Sequence, residues 1–167
     1  ATLPAALTLA SLAAQATVAT GSMNAPRRMH QASSLLDGRV LFSGGYAKPG
    51  TAPYASAEIY DPVSGLFTLI APMLQARTEH GAVTLNDGRV LVMGGSIVTS
   101  PSLIGTATAE LYDTASGLWS PTVNMNIARY RVIPRTLPDG KACFMNKAGY
   151  SGTRKPECYY PQNGNLN

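Results

Sequence analysis

The nine residues DGRVLFSGG at 37–45 return as DGRVLVMGG at 87–95. A phrase repeated at an interval of tens of residues marks a chain built from like units stacked on one another. Aligned on this phrase, the chain divides into three copies. The first reads Met23, Arg27, His30 and Leu35, then Asp37-Gly38-Arg39-Val40-Leu41 and Gly44-Gly45. After a loop it continues with Ala57-Glu58-Ile59-Tyr60-Asp61-Pro62 and Ser64-Gly65-Leu66-Phe67. The second has Met73, Arg77, His80, Leu85, Asp87-Gly88-Arg89-Val90-Leu91, Gly94-Gly95, Ala109-Glu110-Leu111-Tyr112-Asp113 and Ser116-Gly117-Leu118-Trp119. The third is worn: Met125, Arg129, Val132, Leu137, Asp139-Gly140-Lys141-Ala142-Cys143, Glu157-Cys158-Tyr159-Tyr160-Pro161 and Asn163-Gly164, with Asn146-Lys147 where the others have two glycines.

Each copy predicts four strands. An apolar run (HQASSLL, HGAVTL) leads into a two-residue Asp-Gly hairpin turn. RVLFSGG or RVLVMGG follows, apolar throughout because a sheet covered on both faces needs no polar alternation. Val40, Leu41, Val90 and Leu91 are therefore expected to be buried in second strands. The glycine pair ends that strand where backbones crowd. AEIYD or AELYD is the third strand, and LFTLIAPM or LWSPTVNM the fourth. A composition of 13% charged residues with 16 Gly and 12 Pro suits short strands and tight turns.

The combined pattern R-x-x-H, DGRVLV-x-GG and AE-x-YDP-x-SG-x-W resembles the kelch family. It is most similar to the bacterial and fungal branch related to the central domain of galactose oxidase. The resemblance covers about residues 16–164 and implies an all-β fold, a β-propeller of four-stranded antiparallel blades. The blades would be about 23–72, 73–124 and 125–167. Three are fewer than the 4–8 with which propellers usually close, so a partial propeller, or part of a longer or oligomeric ring, is expected. Residues 17–23 align with 67–73, the fourth strand of the first blade. They read as an orphan fourth strand, while the third blade stops before its own. Its open edge at 157–161 would then attract another strand, and two copies lending N-terminal strands to each other would make a six-blade dimer.

Residues 1–15 form an apolar segment, and the first 26 residues carry no charge. The segment has the short apolar core and the Ala14-Gln15-Ala16 ending of an export signal but no basic start. A linker or strand from a preceding domain, a signal remnant, and a membrane or partner contact by residues 1–19 all stand as readings. The net charge of +4 is uneven: residues 1–124 hold six Lys/Arg against seven Asp/Glu, and residues 125–167 hold seven against two. A basic end can mean an anionic partner, but a solvated rim is expected rather than a nucleic-acid partner.

No catalytic or metal motif stands out. HExxH, CxxC, a P-loop and a nucleophile elbow are all missing from the sequence. Galactose oxidase-like enzymes use copper with tyrosine, histidine and a Cys–Tyr crosslink, and no such residue carries over position by position. No catalytic residue, metal ligand or cofactor is therefore assigned. His30 and His80 recur at the repeat period, as do Arg27, Arg77 and Arg129, and Glu58, Glu110 and Glu157. Positions that every unit keeps are expected to serve the framework, as paired or backbone-bonded struts rather than ligands. Cys143 stands where Leu41 and Leu91 stand, and Cys158 where Ile59 and Leu111 stand. Neighbouring strands would allow a disulfide, and with it an exported, extracellular, periplasmic or cell-surface setting; two buried thiols are the other reading.

Binding is expected in the loops between second and third strands, at 46–56, 96–108 and 148–156, through Tyr46, Lys48, Tyr54, Tyr150, Arg154 and Lys155. The function expected is a binding or assembly module without catalysis, engaging a protein partner or itself. A carbohydrate-binding propeller and a fragment of a galactose oxidase-like copper oxidase are the alternatives.

Overall fold

The computed structural model describes residues 20–99, 102–146 and 155–167. Among them are twelve strands in three four-stranded antiparallel sheets, and no helix. The first sheet is β1 (Gln31–Ser34), β2 (Val40–Ser43), β3 (Ala57–Asp61) and β4 (Leu66–Ile70). The second is β5 (Gly81–Thr84), β6 (Val90–Met93), β7 (Ala109–Asp113) and β8 (Leu118–Pro121). The third is β9 (Val132–Thr136), β10 (Ala142–Asn146), β11 (Glu157–Tyr160) and β12 (Asn165–Leu166). Every sheet is a meander in which each strand pairs with the next in sequence.

The Asp-Gly turn is longer than the sequence suggested. Leu35 N–H donates to Arg39 O and Gly38 N–H to Leu35 O, so three residues, 36–38, make the turn. Gly38 takes φ 89°, the left-handed end of a three-residue hairpin. Asp37 sets this length: its Oδ1 accepts from Arg39 N–H at 3.0 Å and its Oδ2 from Arg39 Nε at 2.9 Å. The same bonds recur at 85–89 and 137–141.

The sheets pack face to face. One core joins Leu41 and Ile59 of the first sheet to Val90, Val92, Tyr112 and Trp119 of the second. Another joins Leu91, Met93 and Leu111 of the second sheet to Val132, Ala142, Phe144 and Tyr159 of the third. Each sheet thus has a leading face, turned toward the sheet before it, and a trailing face, turned toward the one after. Because the second sheet is covered on both, all four residues of β6 are 0% exposed. Each such side chain contributes about 1.5–3 kcal/mol by burial. In the first sheet Leu41 is buried but Val40 is only half-buried, contrary to expectation, because no sheet among the described residues covers its leading face.

The third sheet also departs from expectation. It has its own fourth strand: β12 pairs with β11, Leu166 opposite Tyr159 and Asn165 opposite Tyr160. Cys158 and Asn167 exchange main-chain hydrogen bonds of 3.0 and 3.1 Å. The edge at 157–161 is therefore occupied by the chain's own last residues and needs no strand from elsewhere. Residues 20–23 lie in no strand; Gly21 N–H donates to Gly65 O at 2.7 Å. The remainder of the segment read as an orphan strand, residues 17–19, lies outside the described residues, as do residues 1–15. Cys143 and Cys158 are directly opposed on β10 and β11 and form a disulfide.

Candidate functional site

The recurring arginines and glutamates are internal ties. Arg27 Nη2 meets Glu58 Oε1 at 2.5 Å, Arg77 meets Glu110 at 2.6 Å and Arg129 meets Glu157 at 2.9 Å, all with side chains no more than 7% exposed. Arg77 Nη1 also donates to the carbonyls of Gly94 and Thr108, while Glu110 accepts the N–H groups of Leu74 and Gln75. Each pair thereby fastens the incoming linker to its own sheet. Burial raises the pKa of Glu58, but hydrogen bonds from Asn24 and Arg27 outweigh it, and the net shift is downward.

The glycine pairs are docking points between sheets. Gly45 N–H donates to Arg77 O at 3.0 Å, and Gly95 N–H to Arg129 O at 2.8 Å. A Cβ on Gly44 would lie 2.4 Å from Arg77 O, and one on Gly94 2.8 Å from Arg129 O. In the third sheet Asn146 replaces the first glycine, and β10 runs on through it as strand.

Beside each docking point a histidine or valine reaches the preceding sheet. His80 Nε2 lies 3.0 Å from Ser43 Oγ, with both residues buried. Its pKa is lowered to about 3 by burial, then by the charge of Arg77 and by His30. This keeps the imidazole neutral. Val132, the equivalent in the third sheet, packs in the same core as Met93, the equivalent of Ser43. His30, the equivalent in the first sheet, has no hydroxyl partner among the described residues, and its Nδ1 is buried without a hydrogen bond. Burial and then Arg27 lower its pKa.

Two features converge at His30. The first is a groove of about 420 Å³ lined by Met29, His30, Glu79, Arg131, Val132 and Ile133, among others. Met29, Glu79 and Arg131 hold equivalent places, two residues after each framework arginine, and all have positive φ (54°, 53° and 55°). Non-glycine residues seldom adopt this conformation. Here it turns the carbonyls of Met29 and Glu79 to the next sheet: Met29 O accepts from Glu79 N–H, and Glu79 O from Val132 N–H. Across the groove Arg131 Nε meets Glu79 Oε2 at 2.7 Å. Neither feature was legible in the sequence, since three unlike residues share no signal.

The second feature is the leading face of the first sheet. Phe42 contacts His30 and Phe67, and Phe67 contacts Tyr60, with ring centroids 4.8–5.6 Å apart. The counterparts in the second sheet, Val92, Tyr112 and Trp119, are at most 8% exposed. In the first sheet Ala32 and Leu69 are exposed, and Val40, Phe42, Tyr60 and Phe67 are half-buried.

The loop candidates do not assemble into a site. Tyr46 is buried, tied to Arg28 by a pair of main-chain hydrogen bonds, so it offers no stacking surface. Tyr54 is half-buried, with the Arg27 guanidinium 5.6 Å from its ring centre. Lys48 and Lys155 are exposed. Tyr150 and Arg154 lie outside the described residues.

No protein-family model and no curated protein matches the sequence. Among solved structures, the chain is similar to a novel fungal alcohol oxidase of the AA5 family determined in complex with copper. The two share 24% identity at a TM-score of 0.64, over 85% of this chain and 30% of the oxidase. The likeness is one of fold: three consecutive four-stranded sheets that match a portion of that enzyme spanning about 30% of its length.

Proposed function

We propose that this chain is a non-catalytic assembly module, a kelch-type arc of a β-propeller that binds a protein surface through the leading face of its first sheet. One observation carries the reading: Val40, Phe42, Tyr60 and Phe67 are only half-buried, beside exposed Ala32 and Leu69, where their counterparts one repeat later are sealed. Contiguous exposed apolar area of this kind is characteristic of interaction sites. The Cys143–Cys158 disulfide suits an exported protein. The test is apolar-dye binding. A Phe42→Ser/Phe67→Ser variant should bind far less dye than the parent while keeping its strand spectrum. Unchanged dye binding would dispose of the idea.

A second reading, part of an oxidase scaffold, draws on the fold likeness to the copper-containing fungal enzyme. The donor set does not fit a copper ion among the described residues. No cluster of three His, Cys, Asp or Glu side chains occurs there, His80 is sealed, and both cysteines are in the disulfide. Copper titration with alcohol-dependent oxygen uptake tests it: uptake by this chain alone would favour the oxidase over the assembly module.

A further inference from the structure

Resting on that assembly reading, we infer that the occupant of the first sheet's leading face is a fourth sheet of the same repeat type, bearing a serine or threonine hydroxyl just before its glycine pair. The two internal interfaces supply the rule. Where the leading face presents His80, the trailing face before it presents Ser43. Where the leading face presents Val132, the trailing face presents Met93. The first sheet presents His30, so its match is a hydroxyl. A thioether there would leave the imidazole Nε2 buried without a hydrogen bond, which is costly.

The same comparison argues against the other occupants. The third sheet offers Met145 in the place of Ser43, and Asn146-Lys147 in the place of the glycines. Its trailing face also carries Arg135, the disulfide, and Tyr160 with Lys141 Nζ 4.9 Å from the ring centre. A side chain at 146 would stand where Gly44 and Gly94 admit an arginine carbonyl. Neither this chain's third sheet nor that of a second copy therefore fits against His30. The first sheet's leading face and the third sheet's trailing face are therefore not matched to each other.

The experiment duplicates residues 23–72 in tandem within the full chain, so that the first copy's Ser43 faces the inserted copy's His30. Imidazole ¹⁵N spectra should then show two histidines with the His80 pattern, where the parent shows one. Ser43→Met in the first copy should return the inserted histidine to the open pattern and lower the folding equilibrium constant at least tenfold. An inserted histidine indifferent to Ser43→Met would overturn the inference, even if dye binding upholds the assembly reading. A second measurement on the unmodified chain does not depend on the duplicate folding. A dimer by native mass that Phe42→Ser/Phe67→Ser dissociates would also overturn it; a monomer supports it.

Discussion

Gly44→Ala and Gly65→Ala form a matched pair. Both glycines have positive φ, 63° and 72°, so an alanine at either bears the same backbone cost, about 1–2 kcal/mol. At Gly65 a Cβ meets nothing within 4 Å. At Gly44 it would lie 2.4 Å from Arg77 O and 2.8 Å from the His80 ring. Relieving both contacts pulls Arg77 O from Gly45 N–H and the imidazole from Ser43. Two buried hydrogen bonds at about 0.5–1.5 kcal/mol each, plus packing strain, put the extra cost of Gly44→Ala at about 2–4 kcal/mol. Equilibrium unfolding in urea measures the difference, and a Gly44→Ala variant already unfolded in buffer meets the expectation. If the two variants agree within about 1 kcal/mol, the close approach of sheets at the glycine pair is not what selects glycine.

Other outcomes follow from the packing and the charges. Leu91→Ala, at a position 0% exposed, should cost about 2–5 kcal/mol, while Leu66→Ala, at 59% exposed, should cost under about 1 in the same titration. Peptide mapping without reductant should recover Cys143 and Cys158 linked, and their replacement by serine should cost about 3 kcal/mol for a loop of this length; free thiols in material from the native compartment would remove the argument for export. His80 stays neutral in the fold to about pH 3, whereas an unperturbed histidine takes up its proton near pH 6.5. The unfolded chain therefore binds the extra proton, and stability decreases as the pH is lowered through that window, by about 2 kcal/mol from about pH 8 to about pH 5. His80→Val with Ser43→Met, the pairing used at the next interface, should flatten that part of the profile, and an unchanged slope would assign it to other groups.

Much of the fold was legible because its signals are local. AEIYD and AELYD carry the third-strand register within five residues, and the cysteine pair could be placed by substitution against Leu41 and Ile59. The turn was misjudged because Asp-Gly occurs in two- and three-residue hairpins alike; the Leu35–Arg39 main-chain bond and those that Arg39 donates to Asp37 separate them. The β12 strand escaped notice because two residues hold no periodicity. Tyr46 looked like a recognition residue because its burial depends on a bridge to Arg28, eighteen positions upstream. The groove and the exposed aromatic face arise from how sheets stack, which no one repeat records.

Met29, Glu79 and Arg131 sit in one strained backbone geometry, secured by main-chain bonds or packing that do not consult the side chain. A thioether, a carboxylate and a guanidinium occupy the same rim without altering the sheets behind them. Folding and surface chemistry are thereby decoupled at Met29, which can change singly at little cost to the scaffold. Glu79 and Arg131 are joined across the groove by an ion pair and would have to change together.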